Sequence, residues 1–166
     1  TLTVSLKETL TLNGREQGST NVQTISSVTQ VLKTTVTCLN AAETAIFGVA
    51  AAGSTDLGKS YVAGQFDQDS VRYIRITNLD VSNYVLLTIR NSGNTNANEV
   101  AIKLDKGASF IYGVDLDAGT EATLTSSTSA LSVAAGTTLN NLIDIVGIAN
   151  GGDCKLEVFV ASLDAA

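Results

Sequence analysis

VRYIRITNLDVSNYVLLTIR, residues 71–90, is the stretch from which the fold is read. Two runs rich in β-branched and aromatic residues flank a polar loop, Asn78 to Asn83, interrupted only by Leu79 and Val81. That layout predicts strand, loop, strand, and the simplest arrangement is a central hairpin. In the second run Val85, Leu87 and Ile89 share one parity and form an apolar row expected in the core. The first run has mixed faces: Arg72, Ile74 and Ile76 alternate with Val71, Tyr73 and Arg75. Arginines on opposite faces fit contact with another protein layer, or snorkelling at a sheet edge.

The same signals recur outward from this stretch. Upstream, Leu2, Val4 and Leu6 alternate with polar residues and Leu10 and Leu12 continue the parity, giving one strand or two broken near Glu8. Asn13-Gly14 is a turn dipeptide, and the polar segment from Arg15 to Asn21 reads as an exposed loop. Val22 to Cys38 carries threonines on both faces, which suits strand over helix. Asn40 to Ile46 reads as a turn or the start of a strand, and the Gly- and Ala-rich residues 47–62 as a flexible connection.

Downstream, Asn91 to Asn98 (NSGNTNAN) is too polar to pack and predicts a projecting tip. Val100, Ile102 and Leu104, then Ser109 to Tyr112, predict a further hairpin turning at Asp105-Lys106-Gly107. Thr120 to Thr138, mostly Ser, Thr and Ala, fits edge strands or an ordered surface segment. Leu139 to Ala149 matches both periods, with strand favoured by Gly147 and β-branching. After an Asn150-to-Asp153 turn, Leu156, Val158 and Val160 alternate in a closing strand. Eight to ten strands with frequent turns and no long helix predict an all-β chain, a single antiparallel β-sandwich or jelly roll over residues 1–166, with 1–21 available as an assembly arm.

Composition narrows the function. A chain of 166 residues buries a sizeable core without disulfides, roughly 68–70% of its unfolded surface. Cys38 and Cys154, without a secretion signal, are expected as buried free thiols, although a bridge between them is open. A net charge of -6 with scattered cations argues against nucleic acid as a partner. No apolar run reaches the ~20 residues of a membrane span, so neither a membrane nor a secretory leader is expected.

With no histidine and no paired cysteines at ligand spacing, zinc and histidine chemistry are excluded. Asp67/Asp69 and Asp115/Asp117 are expected as solvated turn carboxylates rather than a calcium site. No nucleophile motif or phosphate-cradling loop occurs. Charged residues at only 16% leave much surface to Ser, Thr, Asn, Gly and Ala, as where neighbours cover a protein. With no proline to blunt strand edges, pairing of edges with neighbouring subunits is the expected alternative.

RYIRITNLD (72–80), VAIKLDKGASFIYG (100–113), CKLEVFVAS (154–162) and the opening SLKETLTLNGREQGSTN (5–21) together resemble small β-sandwich virion structural proteins of tailed bacteriophages, notably marine and cyanobacterial ones. The resemblance spans most of the chain but not residues 48–64 or 120–138, and it rests on strand and turn patterns without chemical residues. It implies a non-enzymatic capsid decoration or cement protein without a cofactor, made in the host cytoplasm and located on the capsid surface. It also implies the major capsid protein or another virion protein as partner, and a homo-oligomer, with a trimer the common form.

The alternatives are a tail, neck or fibre component, or a receptor- or glycan-binding module using the tips near Asp80 and at 91–98. An exported adhesin domain is disfavoured by the missing leader. The residues assigned to partner contact are Leu2, Val4, Leu6, Arg15, Arg72, Arg75, Asn94 and Asn96.

Overall fold

The computed structural model describes residues 1–50, 66–67, 71–90, 99–113, 123–127, 130–134 and 144–163. These form fifteen strands: β1 (Leu2–Lys7), β2 (Thr11–Leu12), β3 (Arg15–Glu16), β4 (Thr20–Ile25), β5 (Gln30–Cys38), β6 (Thr44–Ala50), β7 (Phe66–Asp67), β8 (Val71–Asn78), β9 (Tyr84–Arg90), β10 (Glu99–Leu104), β11 (Ser109–Gly113), β12 (Thr123–Ser127), β13 (Ala130–Ala134), β14 (Asp144–Asn150) and β15 (Cys154–Ser162). No helix occurs among the described residues.

Two sheets form the body. One has the order β10-β9-β14-β6, extended by the short parallel β7; the other has the order β11-β8-β15-β5. Within the eight strands of these two four-strand orders, counted along the chain, the first pairs with the last (β5 with β15), the second with the seventh (β6 with β14), the third with the sixth (β8 with β11) and the fourth with the fifth (β9 with β10). All these pairs are antiparallel. Such nesting, a long hairpin rolled over on itself, is the jelly-roll topology. The β12–β13 pair forms a separate antiparallel ladder within the Ser/Thr-rich segment.

The topology corrects the expected hairpins. β8 and β9 do not pair: β8 lies between β11 and β15, and β9 between β10 and β14. Residues 79–83 therefore form an arch from one sheet to the other, and residues 105–108 do the same between β10 and β11. The cause is apolar parity. Ile74 and Ile76 on β8 and Val85 and Leu87 on β9 are all buried, and they close on one another when the two strands face across the core. Leu156, Val158 and Val160 of β15 and Ile145 of β14 fill the same space. At about 25 cal/mol per Å² of apolar surface removed from water, this packing is the main stabilising term.

Two irregularities adjust the sheets. Tyr73 lies opposite Ala161 and Val71 opposite Ser162, so Arg72 is an extra residue in β8. This bulge returns Val71 to the core beside Ile74 and turns Tyr73 and Arg75 to the outer face, which accounts for the mixed faces in the sequence. In β14, Gly147 sits where the side chains of Ile46 and Cys38 close in on the backbone. A Cβ there would lie 2.6 Å from Cδ1 of Ile46 and 3.1 Å from Sγ of Cys38.

Cys38 and Cys154 are free, buried and directly opposite in the β5–β15 register. Leu79 N–H donates to Lys155 carbonyl, 2.9 Å, one step beyond the Leu156–Asn78 pair of the β8–β15 register and in line with it. Odd residues of β15 therefore turn their backbone groups to β8 and even residues turn theirs to β5, which makes Cys154–Cys38 a hydrogen-bonded pair. Cα atoms at such pairs lie about 5.5 Å apart, within disulfide reach, yet both thiols are free. Burial pushes the Cys38 thiol up to about 11.

Candidate functional site

The N-terminal residues depart from expectation in a way that bears on function. Residues 15–21 are the return of a hairpin rather than a loop. Leu2 pairs with Ile25, Lys7 with Thr20, Thr11 with Glu16 and Leu12 with Arg15, one constant register through both ladders. Asn13 and Gly14, with φ of 52° and 75°, form the two-residue turn that the Asn-Gly dipeptide favours. Between the ladders Glu8 N–H donates to Ser19 carbonyl and Gln17 N–H to Leu10 carbonyl, both 2.7 Å, keeping the register. Gly18 permits a close approach here, since a Cβ would lie 2.1 Å from Glu8 carbonyl oxygen.

The root of this ribbon is anchored on the outer face of the β11-β8-β15-β5 sheet. Ile25, Tyr73 and Ala161 are buried together there, with Leu2, Val4, Val28 and Phe159 packed against them. Tyr73 meets Phe159 edge-on at 5.9 Å. The rest of the ribbon is bare: from Ser5 to Thr24 only Gly18 is not exposed. Leu6, Leu10, Leu12 and Val22 are 53–57% exposed. Leu6, Leu10 and Leu12 continue the parity of Leu2 and Val4, so the face that is glued down at the root runs on uncovered toward the tip. From Leu2 to Leu12 the ribbon is roughly 34 Å long at 3.4 Å per residue.

The predicted contact residues thus separate. Leu6 and Arg15 lie exposed on the arm, while Leu2 and Val4 are half-buried in its root. Arg72 is 9% exposed: the bulge tucks it in, with Nη1 donating to Val71 carbonyl. Arg75 is half-buried, paired with Glu157 and stacked over Phe159 at 5.6 Å, which makes it part of the outer face's own packing. Asn94 and Asn96 lie outside the described residues. Sequence reading missed Leu10, Leu12 and Val22 as surface residues because alternation with polar neighbours marks a face without saying whether anything covers it.

The loop near Asp80 is built for structure. The buried Asn78 side chain donates to Asn83 carbonyl at 2.9 Å and Leu104 carbonyl at 3.2 Å, and accepts from Asp80 N–H at 3.0 Å. The Asn78 backbone bonds Ala108 and Gly107. Asp80 accepts from Ser82 and Asn83 N–H, and those bonds hold its carboxyl below the usual range. One asparagine therefore joins two of the arches between the sheets.

No three Cys, Asp or Glu side chains converge on a metal site among the described residues. Residues Asp69, Asp115 and Asp117 lie outside them. No helix among the described residues is long and apolar enough to cross a membrane. No protein-family model matches the chain, and no curated protein or solved structure is significantly similar to it.

Proposed function

We propose that this protein is a non-enzymatic structural component of a bacteriophage particle, a decoration or cement protein that grips the major capsid lattice through its N-terminal arm. The observation that carries this reading is the ribbon from Ser5 to Thr24, exposed on both faces with leucines at 6, 10 and 12. An isolated two-stranded hairpin is marginal in water, and uncovered apolar rows mark interaction sites. A rigid jelly roll carrying such an arm can lay it across a seam between capsid subunits and add buried area where internal pressure pulls the shell apart. The jelly roll itself is host to many functions, so the arm and the likeness to virion proteins bear the weight.

The test is reconstitution. Purified protein is added to particles stripped of it, and copies per particle and the heat resistance of the shell are measured. Hundreds of copies and a raised shell melting temperature are expected, both lost in the double variant Leu10→Ser/Leu12→Ser. A handful of copies confined to a tail or vertex, or unchanged shell stability, overturns the cement reading.

A further inference from the structure

Among the described residues, nothing pairs with the β5 edge of the body. Even residues of β15 turn their backbone groups to β5, so on β5 the even residues Gln30 to Cys38 take up that ladder. The odd residues Val31, Lys33, Thr35 and Thr37 then aim N–H and C=O groups off the sheet edge. All four are exposed, β5 ends its sheet, and no hydrogen bond from a described residue reaches these groups. Native edges of this kind are normally blunted by proline, a bulge or an outstanding lysine. Here the chain has no proline and the nine-residue register is unbroken. The one lysine, Lys33, is drawn onto Glu157 of its own chain at 3.0 Å, a carboxylate it shares with Arg75.

We propose that this edge pairs with the same edge of a second copy, antiparallel about a two-fold axis at Thr34, joining two four-stranded sheets into one of eight. The second copy is the occupant because the edge is self-complementary. Hydrogen-bonded pairs must join outward-facing residues, and of the symmetric registers that do so the one centred on Thr34 overlaps all nine residues and sets Val31 against Thr37 and Lys33 against Thr35, keeping the two lysines from direct opposition. On the inner face the same register sets Leu32 against Val36 and Thr34 against itself. Those three are only half-buried although they face inward, and Leu32 and Val36 are the apolar fringe of the core. A second copy covers them with their own complements.

Nine strand residues a side fall short of the roughly 20–30 of a standard interface, so the dimer is concentration-dependent in solution. This interface is independent of the capsid reading and replaces the three-fold association implied by the resemblance with a two-fold one.

Sedimentation equilibrium of the full chain across a wide concentration range tests the proposal. A monomer–dimer equilibrium is expected, with Thr35→Pro moving its midpoint by roughly tenfold or more, since each copy loses an outward N–H and proline is tolerated at an outward edge position. A second variant does not depend on that fold being kept. Thr34→Cys places two thiols at a symmetric non-hydrogen-bonded pair, with Cα atoms about 4.5 Å apart, within disulfide reach. Oxidised glutathione is expected to link it into a covalent dimer, whereas Thr35→Cys stays monomeric on the non-reducing gel. A monomer at all concentrations, a trimer, a dimer indifferent to Thr35→Pro, or no covalent dimer from Thr34→Cys overturns the proposal.

Discussion

Replacing Asn78 with Ala tests whether the TNLD loop is a structural joint. The side chain is fully buried and makes three hydrogen bonds, to Asn83, Leu104 and Asp80. Each is worth about 1 kcal/mol net, and truncation leaves the buried Leu104 carbonyl without this donor, so the loss is about 3–4 kcal/mol. Against a total stability of about 5–15 kcal/mol that is a large fraction. For a chain of this size it lowers Tm by roughly 6–16 °C. Urea unfolding followed by far-UV circular dichroism reads the change as a lower midpoint at constant slope. Asn78→Asp separates hydrogen bonding from shape. At neutral pH its carboxylate faces two carbonyl oxygens and it is expected to be worse than Ala, recovering in acid when protonation restores a donor. A loss below about 1 kcal/mol for Asn78→Ala, or an Asp variant insensitive to pH, refutes the joint.

The arm predicts a split between root and tip: Ile25→Ala is expected to cost about 2–5 kcal/mol in urea unfolding, whereas Leu10→Ser/Leu12→Ser changes stability by no more than about 0.5 kcal/mol. Equal losses would mean that the tip packs on the body. Because the folded Cys38 thiol stays protonated up to about 11 from an ordinary 9.0, its contribution is full below pH 9 and declines as pH rises toward 11. Cys38→Ala is expected to be less stable at neutral pH and to show a shallower alkaline decline. Asp80 has the opposite sign. Its depressed carboxyl contributes above the ordinary carboxylate range and loses that contribution as pH falls through the lower folded value, so Asp80→Asn should flatten the acid limb of urea midpoints measured between about pH 2 and 5.

Strands were legible in this sequence where alternation was clean: Val85 and Leu87, or Leu156, Val158 and Val160, point inward as their spacing requires. Strand partners were less so. Residues 79–83 fit a hairpin loop and an arch equally well by composition, and the deciding information is a buried amide at Asn78 that reaches carbonyls distant in sequence. The Arg72 bulge hides similarly, because one inserted residue inverts a face without any turn residue to announce it. In the arm, REQGSTN reads as loop by its polarity, yet the Asn13-Gly14 turn carries it into register with the first strand. Edge position belongs to topology, so the place of β5 at the end of its sheet is invisible in QVLKTTVTC itself.

The nested pairing also governs how the molecule is born. β15 is an interior strand of its sheet, gripping β5 on one side and β8 on the other, and its Cys154 meets Cys38 across 116 residues of chain. At about 5–20 residues per second, roughly 6–23 s separate the synthesis of those two cysteines. During that interval β5 and β8 wait without the strand that joins them. Topologies dominated by such distant contacts fold slowly. The nascent chain therefore carries β5 and β8 without their shared neighbour until β15 has left the ribosome.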